Sequence, residues 1–129
     1  MPVRILIVDD SLTVRIVLKR LLTNVLDIPG LQLCEADNGR LGLAMMRAQR
    51  PDLVLADLNM DHMSGVEMIS QMRADPALAS IPVAVISSEG DQGVTDALAL
   101  NGVRTFIRKP FDLGALSELL PQVLAGAGH

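Results

Sequence analysis

Residues 5–11 read ILIVDDS, and this stretch decides the fold class. Four consecutive large aliphatic residues are typical of a strand in a parallel sheet, because helices cover both faces of such a strand. Two adjacent carboxylates, Asp9 and Asp10, follow directly, where the strand is expected to end. Buried charge is unfavourable without a partner, so this pair of acids indicates a binding site at the end of the strand.

Apolar runs of strand length alternate with helical patterns along the rest of the chain. Strands are predicted at Arg4–Val8, Leu31–Ala36, Asp52–Ala56, Ile81–Ile86 and Arg104–Arg108. Helices are predicted at Ser11–Leu26, Arg40–Gln49, Gly65–Ala74, Asp91–Leu100 and Asp112–Leu124. This alternation predicts an α/β fold in which a parallel sheet carries helices on both faces.

Two of these helices show apolar residues at helical spacing, which predicts the faces that pack on the sheet. In the first helix the pattern runs through Leu12, Ile16, Leu18, Leu22 and Val25. In the second helix one face carries Leu41, Ala44, Met45 and Ala48. Four methionines at helical spacing are predicted to fill the core, namely Met45, Met46, Met68 and Met72.

The chain of 129 residues suits one domain, predicted at residues 1–124, with 125–129 as a flexible tail. A net charge of −4, without a cluster of Lys or Arg, argues against direct binding to nucleic acid. The single cysteine, Cys34, excludes an internal disulfide and is predicted to be buried. With no secretory signal and no membrane-length apolar run, the predicted location is the cytoplasm.

Polar side chains follow the predicted strands at the points where the strands end. Asp9 and Asp10 follow the first strand, Asp57 the third, Ser87 the fourth and Lys109 the fifth. The carboxyl ends of parallel strands share one edge of the sheet, where ligands bind. Three carboxylates gathered there repel one another and favour a hard divalent cation such as Mg²⁺.

Asp57 is the candidate nucleophile of this edge. A carboxylate beside Mg²⁺ and an ammonium group stays ionised and can attack phosphorus to give an acyl phosphate. Lys109 would then neutralise phosphoryl oxygens, and Ser87 would donate a hydrogen bond to another. Little else is needed, because phosphoryl transfer depends mainly on positioning and charge neutralisation.

Taken in order, these motifs resemble the receiver domain of bacterial two-component response regulators. The shared markers are Val8-Asp9-Asp10-Ser11, Glu35-Ala36-Asp37-Asn38-Gly39, Asp57-Leu58-Asn59-Met60, Met63-Ser64-Gly65, Ile81-Pro82-Val83, Ser87 and Lys109-Pro110-Phe111. The resemblance covers nearly the whole chain. It implies a flavodoxin-like, doubly wound sheet of five parallel strands in the order 2-1-3-4-5, with five helices.

The resemblance also implies a role for each matching residue of the site. Asp57 would be the phosphoacceptor. Mg²⁺ would be held by Asp9, Asp10 and Asp57 together with the backbone carbonyl of Asn59. Lys109 would contact the phosphoryl group.

Further matches concern the response to phosphorylation. Ser87 and Phe106 would form a coupled switch. Asn59 and Glu89 would tune the lifetime of the phosphoryl group, and these two residues match single-domain chemotaxis regulators. Asp61 stands where the family usually has proline, which bears on the phosphorylation kinetics.

The partners implied by the resemblance are a sensor histidine kinase or phosphotransfer protein and an unknown output partner. The output partner would bind the face formed by the fourth helix, the fifth strand and the fifth helix. The chain would be a monomer or a phosphorylation-dependent dimer, without membrane contact. It would not be an enzyme beyond self-catalysed phosphoryl transfer and slow autodephosphorylation.

Two alternatives remain at the level of sequence. One is a pseudo-receiver that binds a partner without being phosphorylated. The other is a phosphohydrolase of the haloacid dehalogenase type, which also uses an Asp nucleophile and Mg²⁺ after an apolar strand. Its two acids alternate, whereas Asp9 and Asp10 are adjacent, and this chain is short for that fold with a cap.

Overall fold

The computed structural model describes residues 3–24, 30–58, 63–87, 98–100, 102–103 and 105–108. The strands are β1 (Val3–Val8), β2 (Leu31–Ala36), β3 (Leu53–Asp57), β4 (Val83–Ser87) and β5 (Thr105–Arg108). The helices are α1 (Leu12–Asn24), α2 (Gly39–Ala48) and α3 (Gly65–Ala74). None of these described helices has the length and hydrophobicity needed to cross a membrane.

The predicted fourth and fifth helices fall largely outside the described residues. Residues 98–100 are helical and belong to the end of the predicted fourth helix. The predicted fifth helix and the tail at 125–129 lie wholly outside the described part of the chain. Within the described part, every predicted strand and the first three predicted helices are present, and the ends that fall on described residues shift by at most two residues. The predicted end of the first helix at Leu26 and the predicted start of the fifth strand at Arg104 lie outside the described residues.

The five strands form one parallel sheet in the order β2-β1-β3-β4-β5, which confirms the predicted order. From β1 the chain moves first to one side, to β2, and then across to the other side, to β3. The order therefore reverses between β1 and β3. In open α/β sheets, the crevice beyond the carboxyl ends of two such strands is the usual ligand site.

Alternate residues of β1 face two separate cores. Ile5 and Ile7 lie in the core beneath α1, whereas Leu6 and Val8 lie in the core beneath α2 and α3. All four side chains are buried. Because neither face of β1 meets solvent, the strand shows an unbroken aliphatic run instead of an alternating pattern.

The prediction of which face of α2 is buried was wrong. The helix buries Gly39, Gly42, Leu43 and Met46. Leu41, Ala44 and Ala48, which were predicted to face the core, are exposed, and Met45 is half-buried. The reason is steric: a Cβ atom at Gly42 would lie only 3.1 Å from Val8 Cγ2, so the glycine lets α2 approach β1 closely. A prediction from large apolar residues alone does not detect a helix face that packs through glycines.

The predicted apolar pattern of α1 is confirmed at two residues and wrong at two, and its last residue, Val25, lies outside the described residues. Leu18 and Leu22 are buried, but Leu12 is 61% exposed and Ile16 is also exposed. Residues six positions apart, such as Leu12 and Leu18, are turned by roughly 240° relative to each other on a helix of 3.6 residues per turn. They cannot share one face, so packing of Leu18 on the core turns Leu12 towards solvent, whereas Val14, four residues before Leu18, packs against the same core.

Cys34 is half-buried, not buried as predicted. It lies on β2, which is the outermost strand beside β1 and has no strand on its other side in the described sheet. The core methionines behave as predicted in three of four cases, since Met46, Met68 and Met72 are buried. Met45 is half-buried and packs against the edge of the same core.

Candidate functional site

Three carboxylates meet at the carboxyl edge of the sheet. Asp9 and Asp10 follow β1, and Asp57 is the last residue of β3. The two strands are adjacent, with Val8 level with Ala56, so their ends meet side by side. One carboxylate oxygen from each of the three residues lies within 4.8 Å of the others. The predicted convergence of these three acids is therefore confirmed.

The three acids differ in exposure. Asp9 is 2% exposed and Asp57 is 6% exposed, and they are the buried polar residues of the described chain. Asp10 is exposed. The cluster thus combines two buried acids, Asp9 and Asp57, with one acid that is exposed to solvent, Asp10.

Asp9 is held in place by hydrogen bonds with three residues. Its Oδ1 accepts a hydrogen bond of 2.9 Å from the backbone N–H of Ser11. Its own N–H donates to the carbonyl of Ala36, at the end of β2, over 3.0 Å. Its carbonyl accepts a hydrogen bond of 2.6 Å from Arg15 Nη1. These contacts fix both the backbone and the carboxylate of Asp9.

Arg15 also reaches Glu35 on β2. Its Nε donates to Glu35 Oε1 over 3.0 Å, and Lys19 Nζ donates to Glu35 Oε2 over 2.8 Å. The hydrogen bond from Lys19 is the largest effect on the pKa of Glu35, and with Arg15 it lowers that pKa despite the opposing effect of burial. Sequence reasoning missed these cations, although Arg15 and Lys19 stand four residues apart on one helix face.

Gly65 shapes the loop that follows Asp57. A Cβ atom there would clash with the Asp57 carbonyl oxygen and would lie 2.9 Å from Leu58 Cα. The Gly65 N–H donates to the Leu58 carbonyl over 3.0 Å. The next helix therefore begins directly against the end of β3, with Ser64 accepting a capping hydrogen bond from the N–H of Glu67. Only a glycine permits this approach to the backbone of Asp57.

The structure describes only some of the other predicted site residues. Ser87 is the last residue of β4, and Asp57 is level with Ile86, so the Ser87 backbone lies at the same edge. Phe106 lies in β5 and is 38% exposed, which argues against a role as core packing. The predictions for Asn59, Glu89 and Lys109 concern positions outside the described residues.

The donor set of the cluster fits a divalent cation. All three side chains offer carboxylate oxygens, which hard cations such as Mg²⁺ and Ca²⁺ prefer. Like charges this close repel one another, and a bound cation relieves the repulsion. The structure therefore has an acidic cluster able to hold a metal ion at the point where the strand order reverses.

A doubly wound parallel sheet with an acidic cluster at its switch point defines an α/β protein that binds its ligand at the carboxyl edge. The family model of the response regulator receiver domain matches residues 5–121. The chain therefore belongs to the response regulator receiver domain family. It is a signalling domain of two-component systems and not a conventional enzyme. Members of this family interact with histidine kinases or phosphotransfer proteins and with output partners.

Individual relatives agree with this assignment. The chain is 32% identical to the chemotaxis protein CheY of Pseudomonas aeruginosa over 120 residues, which cover 93% of this chain and 94% of CheY. It is 35% identical to the protein PilH of the same organism over 125 residues, covering 95% and 98% of the two chains.

A solved structure extends the agreement to three dimensions. The response regulator receiver protein from Pseudomonas putida superposes with a TM-score of 0.82 at 30% identity, covering 95% of this chain and 98% of that one. These similarities favour the receiver over the phosphohydrolase considered from the sequence. They give no support to a pseudo-receiver.

Proposed function

We propose that Asp57 is the phosphoacceptor of this receiver domain, in a domain that spans residues 1–124. The observation that carries the proposal is the position of Asp57: a buried carboxylate at the end of β3, grouped with Asp9 and Asp10 where the strand order reverses. A structural acid would not need two further acids beside it, because each adds repulsion.

Mg²⁺ is the cation we assign to the cluster. Asp9, Asp10 and Asp57 would hold it, together with the backbone carbonyl of Asn59. When bound, it would neutralise negative charge on phosphoryl oxygens, as metal ions do in phosphoryl transfer. Asp9 suits a ligand role because its carboxylate and backbone are already oriented by Ser11, Ala36 and Arg15.

The transfer step requires little from the protein beyond placement. A carboxylate oxygen of Asp57 attacks the phosphorus of a phosphohistidine on a histidine kinase or phosphotransfer protein. The new O–P bond gives an acyl phosphate as the P–N bond breaks, and the released imidazole takes its proton from solvent. Lys109 and Ser87 contact the phosphoryl oxygens, and attack of water on phosphorus later returns inorganic phosphate and the Asp57 carboxylate.

The output of this reaction is a change in partner binding. Ser87 moves towards the new phosphoryl group, and Phe106 changes orientation in concert. The exposure of Phe106 on β5 supports this part of the proposal, since its ring is not locked in the core. The face of the fourth helix, β5 and the fifth helix would then change its affinity for an output partner, as a shift between two populations.

The test is the intact mass of the protein after incubation with acetyl phosphate, with Mg²⁺ or with a chelator. We expect a Mg²⁺-dependent gain of one phosphoryl group in the wild type and none in Asp57→Asn. Asp37→Asn is the matched control, because Asp37 is an exposed acid that follows β2 at the same edge of the sheet and lies outside the cluster. It should gain the phosphoryl group as the wild type does.

Two results would contradict the proposal. A phosphoryl gain retained in Asp57→Asn would place the acceptor elsewhere. A wild type that gains nothing from acetyl phosphate or from a phosphorylated kinase would support the pseudo-receiver instead.

A further inference from the structure

The strongest unassigned feature is the bridge that Arg15 makes between the acidic cluster and β2. One nitrogen of its guanidinium donates to the Asp9 carbonyl over 2.6 Å, and another donates to Glu35 over 3.0 Å. The Arg15 side chain is only 15% exposed, so its orientation is restricted by packing as well as by these contacts. A planar guanidinium can join two acceptors in fixed directions, which an ammonium group cannot.

We propose that Arg15 is a positioning residue for the cation site: it holds the backbone of Asp9 so that the Asp9 carboxylate stands in the geometry that binds Mg²⁺. The inference rests on the proposed function of the acidic cluster and concerns a residue that contacts neither the cation nor the phosphoryl group. Groups that hydrogen-bond to a metal ligand commonly set metal affinity by orienting that ligand.

The contacts of Asp9 show why this bridge matters. The N–H of Asp9 is tied to Ala36 on β2, and its carbonyl is tied through Arg15 to Glu35 on the same strand. Both backbone hydrogen-bonding groups of Asp9 are therefore linked to β2, the N–H directly and the carbonyl through Arg15. Without Arg15, the Asp9 carbonyl loses this hydrogen bond just where the chain leaves β1 and turns into α1.

The charge of Arg15 acts in the opposite direction to its geometry. A cation near a metal site disfavours a second cation, so this effect alone predicts that removal of Arg15 strengthens Mg²⁺ binding. Glu35 counteracts this effect because it is ion-paired with Arg15 as well as with Lys19. Positioning and repulsion thus predict opposite signs for the same substitution, and the measured sign decides between them.

The experiment measures Mg²⁺ affinity directly. The chain has no Trp and no Tyr, so calorimetric titration and amide NMR are better suited than intrinsic fluorescence. We expect Arg15→Gln to weaken Mg²⁺ binding by roughly 10-fold, the low end for loss of a group that orients a metal ligand. The Ser11 amide, which donates to Asp9 Oδ1, should exchange faster with solvent in this variant.

Two further variants separate geometry from charge and from folding. Arg20→Gln removes the same charge from an exposed position on α1 and should leave the affinity unchanged. Arg15→Lys keeps the charge without the planar fork and should weaken binding nearly as much as Arg15→Gln. Unchanged thermal unfolding of Arg15→Lys would show that the effect is local.

Wild-type affinity in Arg15→Lys would mean that the planar guanidinium is not needed to hold Asp9, and unchanged or tighter binding in Arg15→Gln would mean that repulsion dominates. Either result overturns the inference. A wild type that binds Mg²⁺ but is not phosphorylated would refute the proposed function and leave the positioning role standing. A wild type that does not bind Mg²⁺ would refute both.

Discussion

α1 and α2 flank the same central strand but are held to it in different ways. α2 approaches β1 through Gly42, whose missing side chain leaves room for Val8 and Met68. α1 packs on the opposite face through Leu18 and Leu22, and Arg15 ties its first turns to the acidic cluster. One attachment is a steric fit, and the other joins apolar packing to a polar bridge.

The difference separates stability from function. A steric fit such as that of α2 affects the free energy of unfolding but has no direct contact with the cluster of Asp9, Asp10 and Asp57. The bridge of α1 lies partly exposed, so its ion pairs add little to stability. Because the bridge contacts Asp9, its loss should nevertheless change cation binding at the site. Substitutions on the two helices should therefore differ in what they change.

The largest expected effect concerns the apolar attachment of α1. Leu18→Ala removes a buried side chain and should lower the free energy of unfolding by about 3 kcal/mol, because the core cannot fully close the cavity. Ile16→Ala, two residues earlier and exposed, should change it by less than about 0.5 kcal/mol. Urea unfolding followed by circular dichroism measures both. Equal losses would mean that Ile16 is also buried.

An intermediate effect concerns the steric fit of α2. In Gly42→Ala the new Cβ would lie 3.1 Å from Val8, a buried β-branched residue that cannot yield easily. We expect a net loss of about 1 kcal/mol, despite the better helix propensity of alanine.

Gly39→Ala is the matched control for this helix. There the nearest atoms, at 3.0 to 3.2 Å, belong to the flexible, half-buried side chain of Met63, which can move aside. This variant should be neutral or stabilising in the same urea titration. Stabilisation by both substitutions would contradict the argument that Val8 limits the approach of α2.

The smallest expected effect concerns the ion pairs of α1. Because Lys19 and Arg15 lower the folded-state pKa of Glu35 below its ordinary value of 4.5, the pairs stabilise the fold at pH values above 4.5. That contribution is lost as the pH falls through the lowered pKa. Glu35→Gln should thus be less stable than the wild type at pH 7 by under about 1 kcal/mol.

Urea titrations across the acid range, with a double-mutant cycle between Lys19→Gln and Glu35→Gln, test this prediction. The coupling between the two residues should be present at pH 7 and should vanish at low pH. A coupling that grows as the pH falls would contradict the assigned direction of the pKa shift.

Much of the fold was predictable from local patterns. The strand runs and their alternation with helices indicated a parallel sheet, and the resemblance to receiver domains supplied the strand order. The convergence of Asp9, Asp10 and Asp57 followed from a general property of parallel sheets, whose strands end at one edge. The boundary of β3 was less predictable, because Asp57 is polar yet pairs as the last residue of the strand.

The packed faces of the helices were not predictable in the same way. Hydropathy assigned α2 to the face of Leu41 because it scores side chains, whereas the structure uses glycines to bring backbones together. The exposure of Leu12 and Ile16 was missed because these residues are aliphatic like the buried Leu18 and Leu22. In both helices the deciding quantity is the distance to a neighbouring element.

The sequence by itself determined the parallel α/β architecture and the acids at the carboxyl edge, because both depend on residues that are neighbours in the chain or on a rule common to all such sheets. Only the tertiary structure decided that Asp9 is buried while Asp10 is exposed, and that Arg15 joins Asp9 to Glu35. Arg15 and Glu35 are 20 positions apart, and their contact exists only after α1 has packed beside β2.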